Sequence, residues 1–166
     1  MPIDFHSISD IGARSNQEDS EKTNYSNDGL LLVLADGMGG HEAGEVASSL
    51  AVVNFEKAFL NLSQLNVNQR LIAALQSAND SISNKIDSNP KFDGMGTTLL
   101  ATYINGNELE YVSVGDSPLF LFRDGRLSQV NDDHSMMPVI LKSLREGKIT
   151  EEEAKNHPQR NALRSV

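Results

Sequence analysis

The spacing of apolar positions changes character along the chain. Ile3 to Ser9 alternate only loosely, whereas Leu30 to Ala35 form an unbroken apolar run. Such a run predicts a strand buried on both faces, and here it is ended by Asp36-Gly37. Before it, a polar strand around Lys22 to Ser26 leads into Asp28-Gly29, a hairpin signal. From His41 the period becomes helical. Val46, Ala47, Leu50 and Val53 mark one face, and Val67, Leu71, Ala74, Ala78, Ile82 and Ile86 mark a second helix at steps of three and four. Asn89-Pro90 closes that second helix, because the residue before proline is driven out of the helical region.

Strand periodicity then returns over Thr97 to Ile104, Leu109 to Val114, Leu119 to Phe122 and Arg126 to Val130. Asn105-Gly106 and Asp124-Gly125 supply hairpin turns in this meander. Short helices follow from Met136 to Val166, with Thr150 and Glu153 spaced as a capping box. Strands, two long helices, strands and small helices in this order predict an α+β domain, helices layered on an antiparallel sheet system. No repeat or linker divides it, so residues 1–166 read as a single domain. The closing NALRSV carries no strand signal, and the expectation is an unclosed sheet edge that could pair with a second copy of the chain.

Composition narrows the chemistry. With 166 residues and 39% hydrophobic content the chain can bury one core. A net charge of -9 leaves no basic face for a phosphate backbone, so nucleic acid is not an expected partner. The absence of cysteine excludes disulfides, thiolate zinc sites and a cysteine nucleophile. Four dispersed histidines, without an H-x-x-x-H pair, disfavour zinc. The first ten residues have neither a basic start nor an apolar run, and no apolar stretch approaches the ~18 residues of a spanning helix. No membrane partner is expected, and a cytoplasmic location is.

The conspicuous stretch is LLVLADGMGGHEAGE, where Asp36 follows a fully apolar strand and is succeeded by four glycines, Gly37, Gly39, Gly40 and Gly44. A carboxylate in that place is costly to desolvate unless something pairs with it. Gly39 and Gly44 have the gap of a P-loop, but Glu45 and Val46 stand where Lys and Ser/Thr are required. Gly37 and Gly39 begin a G-x-G-x-x-G pattern, but Glu42 occupies its sixth position. Both nucleotide loops therefore fail. An aspartate with backbone carbonyls suits a hard cation such as Mg²⁺ or Mn²⁺. GARSNQEDS adds Arg14, able to grip a phosphate, ahead of Glu18 and Asp19, and SVGDSP places Asp116 after a later strand.

Taken in order, RSNQED, ADGMGGHEAGE, GMGTT, SVGDS and DDHS resemble the bacterial branch of the metal-dependent type 2C (PPM) serine/threonine protein phosphatases, from about Ile8 to the last residue. The resemblance implies a four-layer α-β-β-α sandwich, incomplete in this chain, with residues 132–166 similar to the family's flap region. It implies two Mn²⁺ or Mg²⁺ ions, with a third in some bacterial members, and a water that attacks phosphorus directly. Asp36 matches the bridging aspartate and Gly37 the residue whose carbonyl is a ligand. Glu18 and Asp19 match the acids that orient metal-held waters, Arg14 the arginine that binds substrate phosphate, and Asp116 the ligand of the third ion. Met38 stands where animal and plant members have histidine, so His41 is read as an exposed helix-start residue. Pro118 replaces the arginine usual after Gly-Asp-Ser. GMGTT, Asp133 and His134 are read as structural.

The family's later S-D-G and G-x-D-N motifs, whose aspartates complete the metal pair, do not occur. Weak metal affinity is the expectation for these 166 residues alone. The function implied is hydrolysis of phosphoserine and phosphothreonine on signalling proteins. The alternative reading is a non-catalytic phosphopeptide-binding or regulatory module.

Overall fold

The computed structural model describes residues 3–39, 42–160 and 162–164. Two compact units make up the chain, Met1–Val112 and Ser113–Val166. The first is built on strands β1 (Asp19–Ser26), β2 (Gly29–Met38), β3 (Gly96–Thr97), β4 (Leu99–Asn105) and β5 (Glu108–Val114), with helices α1 (Glu42–Asn61) and α2 (Val67–Ser88). The sheet runs in the order β1-β2-β4-β5, and the short β3 pairs with the far end of β2.

Local chemistry fixes the element ends. Asn66 accepts a hydrogen bond from the Gln69 backbone at 2.9 Å and caps α2, and Asn89 ends α2 and then caps the single 3-10 turn Pro90–Phe92. The first hairpin turns one residue earlier than its Asp-Gly pair suggests. Ser26 pairs with Gly29, so Asn27 and Asp28 form the turn and Gly29 opens β2. A β-carbon at Gly29 would lie 2.6 Å from the Ile104 carbonyl oxygen and 2.7 Å from the Tyr103 ring. Tyr103 Oη in turn donates to the Asp28 carbonyl.

Helices cover one face of this sheet. Leu31, Val33 and Ala35 of β2 and Leu99, Ala101 and Tyr103 of β4 pack with Ala51, Val52, Phe55 and Phe59 of α1 and Leu71, Ala74 and Ala78 of α2. Phe59 anchors this layer. It is fully buried, its ring lies 5.1 Å from Tyr103, and the Arg70 guanidinium sits 3.9 Å above it while Arg70 Nε donates to the Phe59 carbonyl at 3.0 Å.

Two expectations about faces are corrected. The buried row of α1 is Ala43, Gly44, Ala47, Ser48, Ala51, Val52, Phe55 and Phe59, not the row through Val53, which is 45% exposed. Small residues win because this helix lies close to the sheet, and Ser48 is fully buried with its hydroxyl 2.9 Å from that of Ser20 on β1. Nor is β2 enclosed on both faces. On the face away from the helices, cover thins from buried Leu30 through half-buried Leu32 to Leu34, which is 40% exposed. Asp36, next in that row, is half-buried.

The second unit contains the hairpin β6 (Phe120–Arg123) and β7 (Arg126–Gln129), then α3 (Met137–Arg145) and α4 (Glu151–Lys155). Asp124 and Gly125 turn the hairpin at φ 51° and 73°, the left-handed pair a two-residue loop requires. Thr150 and Glu153 form the expected capping box, and both hydrogen bonds from Thr150 hold the Glu153 carboxyl below the usual carboxylate range. No helix among the described residues is long and apolar enough to cross a membrane.

Truncating the anchor of the first unit tests this packing. Phe59→Ala is expected to lower stability by about 3–5 kcal/mol, since the cavity opens between helix and sheet where neither can close over it. Urea unfolding should show a lower midpoint at unchanged slope; a loss under about 1 kcal/mol would contradict the assignment of Phe59.

Candidate metal and phosphate site

β2 does not end at Asp36. It continues through Gly37 and Met38, which pair with Thr97 and Gly96 of β3. Asp36 is thus held inside a ladder on both sides. Across β1 its register partner is Asp19, and the next step is made by the Gly37 amide, which donates to the Glu18 carbonyl at 3.0 Å. Toward β4 the Asp36 amide donates to the Thr98 hydroxyl at 3.0 Å, and the Thr98 amide donates back to the Asp36 carbonyl at 2.9 Å. Thr98 is buried, so this exchange is shielded from water.

The register decides which acids meet. Directly opposite residues of an antiparallel pair point to the same face, so Asp19 and Asp36 stand side by side on the face away from the helices. Like charges so placed repel, and a divalent cation between oxygen donors would relieve that. Glu18, one residue out of phase, turns the other way. Its carboxylate lies against Gly44 in the first turn of α1. Among the described residues no group of three or more histidines and acids converges as a metal cage. The donor set therefore fits a cation as a pair of carboxylates with neighbouring carbonyls, not as a complete shell.

Glycine is required at this step for space. A β-carbon on Gly37 would sit 2.0 Å from the Gly44 carbonyl oxygen and 2.7 Å from that of Glu18. Gly39, at φ 132°, would bring one within 2.9 Å of the Met95 backbone. The strand thus passes backbone to backbone over the start of α1. His41 lies outside the described residues.

Arg14 is exposed on the loop before β1, its amide turned back to the Ile11 carbonyl at 3.2 Å. With Ser15, Asn16 and Glu18 it lines an open cavity of 240 Å³. A cavity lined by an arginine and a glutamate has the residue types to take a phosphate and a proton-bearing group.

Asp116 belongs to the second unit and is exposed on a turn after buried Gly115, whose φ is 97°. Asn131 holds this loop. Its amide oxygen accepts from the Leu119 amide at 2.7 Å and its nitrogen donates to the Ser117 carbonyl at 3.0 Å, bracketing Pro118. The Asp133 carboxylate accepts from the Ser135 amide at 2.7 Å, and the Ser135 hydroxyl accepts from Met137 at the start of α3.

Sequence reasoning missed Thr98 and Asn131 as positioning residues. The signal for Thr98 was its place in GMGTT, two β-formers after paired glycines, but its partner is 62 residues away.

Comparison with known proteins gives this geometry a family. Residues 9–156 match the profile described as Protein phosphatase 2C. The chain belongs to the protein phosphatase 2C family. Its sequence is 40% identical over 164 residues to the serine/threonine protein phosphatase PstP of Mycobacterium tuberculosis, covering 98% of this chain and 30% of that protein. Among solved protein phosphatase 2C relatives, the serine/threonine phosphatase Stp1 of Staphylococcus aureus superposes with a TM-score of 0.77 at 30% identity, over 96% of this chain and 63% of that one. The catalytic domain of PstP in complex with two manganese ions gives a TM-score of 0.69 at 40% identity, over 86% and 59%. The chain thus spans less than two thirds of the proteins it matches, and the α+β fold expected from the sequence is theirs.

Replacing the Thr98 hydroxyl by a methyl tests the lock on Asp36. Thr98→Val should cost about 1–3 kcal/mol, because the part-buried Asp36 amide loses this acceptor. Hydrogen exchange at that amide should accelerate; unchanged protection would show that the ladder alone holds the residue.

Proposed function

We propose that this chain supplies the Asp36 half of the active site of a metal-dependent protein serine/threonine phosphatase of bacterial type. The observation that carries the reading is the register pairing of Asp19 with half-buried Asp36 of β2, in a protein phosphatase 2C sequence. Two opposed carboxylates, on a backbone held by Thr98 on one side and the Gly37–Glu18 hydrogen bond on the other, offer donors for hard cations.

In this reading Asp36, Asp19 and the Gly37 carbonyl hold Mn²⁺ or Mg²⁺, and Asp116 serves a further ion. Such ions, when bound, lower the pKa of water and neutralise charge on a transferring phosphoryl group. The remaining work belongs to side chains. Arg14 grips two phosphate oxygens with its planar fork and sets the ester in line with the attacking water. Glu18 lines the Arg14 cavity and, turned to the α1 side away from Asp36, shapes where the phosphate sits. The open cavity leaves room for a phosphorylated serine or threonine carried on a protein segment, which makes phosphoproteins the partners.

Manganese-dependent hydrolysis of a phosphothreonine peptide by the full-length protein is the direct assay. Asp36→Asn should lower kcat by at least about a hundredfold, the scale of losing one preorganised charge in a site. Arg14→Lys should raise KM about tenfold, since a point charge replaces a bidentate fork. Full activity in Asp36→Asn would sink the assignment.

A further inference from the structure

Gly44 is a glycine in a place that does not need one for its backbone. It lies in the first turn of the 20-residue helix α1 and is absent from the glycines with positive φ. Inside a helix glycine is less favourable than alanine by about 1 kcal/mol, because the chain loses more freedom there. The helix accepts that disadvantage at a position where a β-carbon would stand 3.0 Å from both Cδ and Oε1 of Glu18, and 3.0 Å from the carbonyl carbon of Gly37. What the missing methyl leaves is the seat of a carboxylate.

We infer that Gly44 is a positioning residue, whose lack of a side chain fixes where the Glu18 carboxylate stands at the first turn of α1. The contrast with Gly37 is instructive. There a β-carbon would meet backbone alone at 2.0 Å, so the requirement is for strand and helix to meet at all. At Gly44 two of the three nearest atoms belong to the end of a flexible side chain, which yields more cheaply than a packed backbone. The third, the Gly37 carbonyl carbon, is equally near at 3.0 Å, so an alanine methyl would turn Glu18 away and ease α1 from β2 by a few tenths of an ångström. The positive end of α1 favours a carboxylate at this spot, so the seat is electrostatic as well as steric. Glu18 also lines the cavity with Arg14, Ser15 and Asn16, so turning its side chain reshapes the residue that walls the proposed phosphate cavity.

The inference rests on the proposed phosphatase reading only for its effect on turnover, and the test separates the two. In Gly44→Ala of the full-length protein the thermal midpoint should stay within about 3 °C of the parent, the shift expected for 1 kcal/mol in a domain of this size. A crystal structure of the variant should show the Glu18 carboxylate displaced by about 1 Å or more, and a displacement of that size typically costs up to about a hundredfold in rate. Manganese-dependent kcat/KM on a phosphothreonine peptide should accordingly fall at least about tenfold in the parent background. In Glu18→Ala the same Gly44→Ala change should alter it less than about twofold, because the side chain it acts through is already gone. An unmoved carboxylate, or an equal loss of kcat/KM in both backgrounds, would overturn the role of Gly44. A protein that never hydrolyses the peptide would instead remove the phosphatase reading. The carboxylate position and thermal midpoint would still decide Gly44, displacement with an unchanged midpoint upholding it.

Discussion

Everything in the candidate site depends on the contact between the far end of β2 and the first turn of α1. At Gly37 and Gly44 two backbones meet with no side chain between them, close enough that a β-carbon on Gly37 would overlap the Gly44 carbonyl oxygen at 2.0 Å. That approach lets β2 run on past the apolar core, so that Asp36 is carried by a ladder and not by a mobile turn. Once the strand is continuous, alternation decides the rest. Ala35 and Gly37 face the helix, and Asp36 faces the opposite way beside Asp19. Glu18, one step out of phase, is sent to the helix.

The same contact explains why α1 buries such small residues. Ala43, Ala47, Ser48 and Ala51 line the approach, and the large Phe55 and Phe59 fill the space only where helix and sheet diverge. Core volume is thus graded along the helix. Dense packing around Phe59 gives the unit its stability, whereas the glycine end brings backbone carbonyls close to the Asp19–Asp36 pair.

Elements governed by neighbouring residues were legible in the sequence. The Thr150–Glu153 box, the Asn89-Pro90 stop and the Asp124-Gly125 turn each follow from chemistry within four residues, and each stands where it was expected. Features set by distant partners were not. Apolar periodicity chose Val53 for the face of α1, because counting hydrophobic residues cannot register a sheet that demands alanine and serine. Asp36 read as the end of a strand, since the β3 segment that prolongs it lies about sixty residues away in the chain. Thr98 read as a mere β-former for the same reason. The acids were singled out by type, spacing and family resemblance, but only the register shows that Asp19, and not Glu18, stands opposite Asp36.

The central claim is that the Asp36–Gly37 step is built to hold a divalent cation. Crystals of the full-length protein grown with Mn²⁺ and measured at the manganese absorption edge would test it most directly. The account predicts an anomalous peak about 2.1 Å from an Asp36 carboxylate oxygen, the distance of a small hard cation from oxygen, with the Gly37 carbonyl among its ligands. A peak elsewhere, or none at saturating manganese, would contradict it.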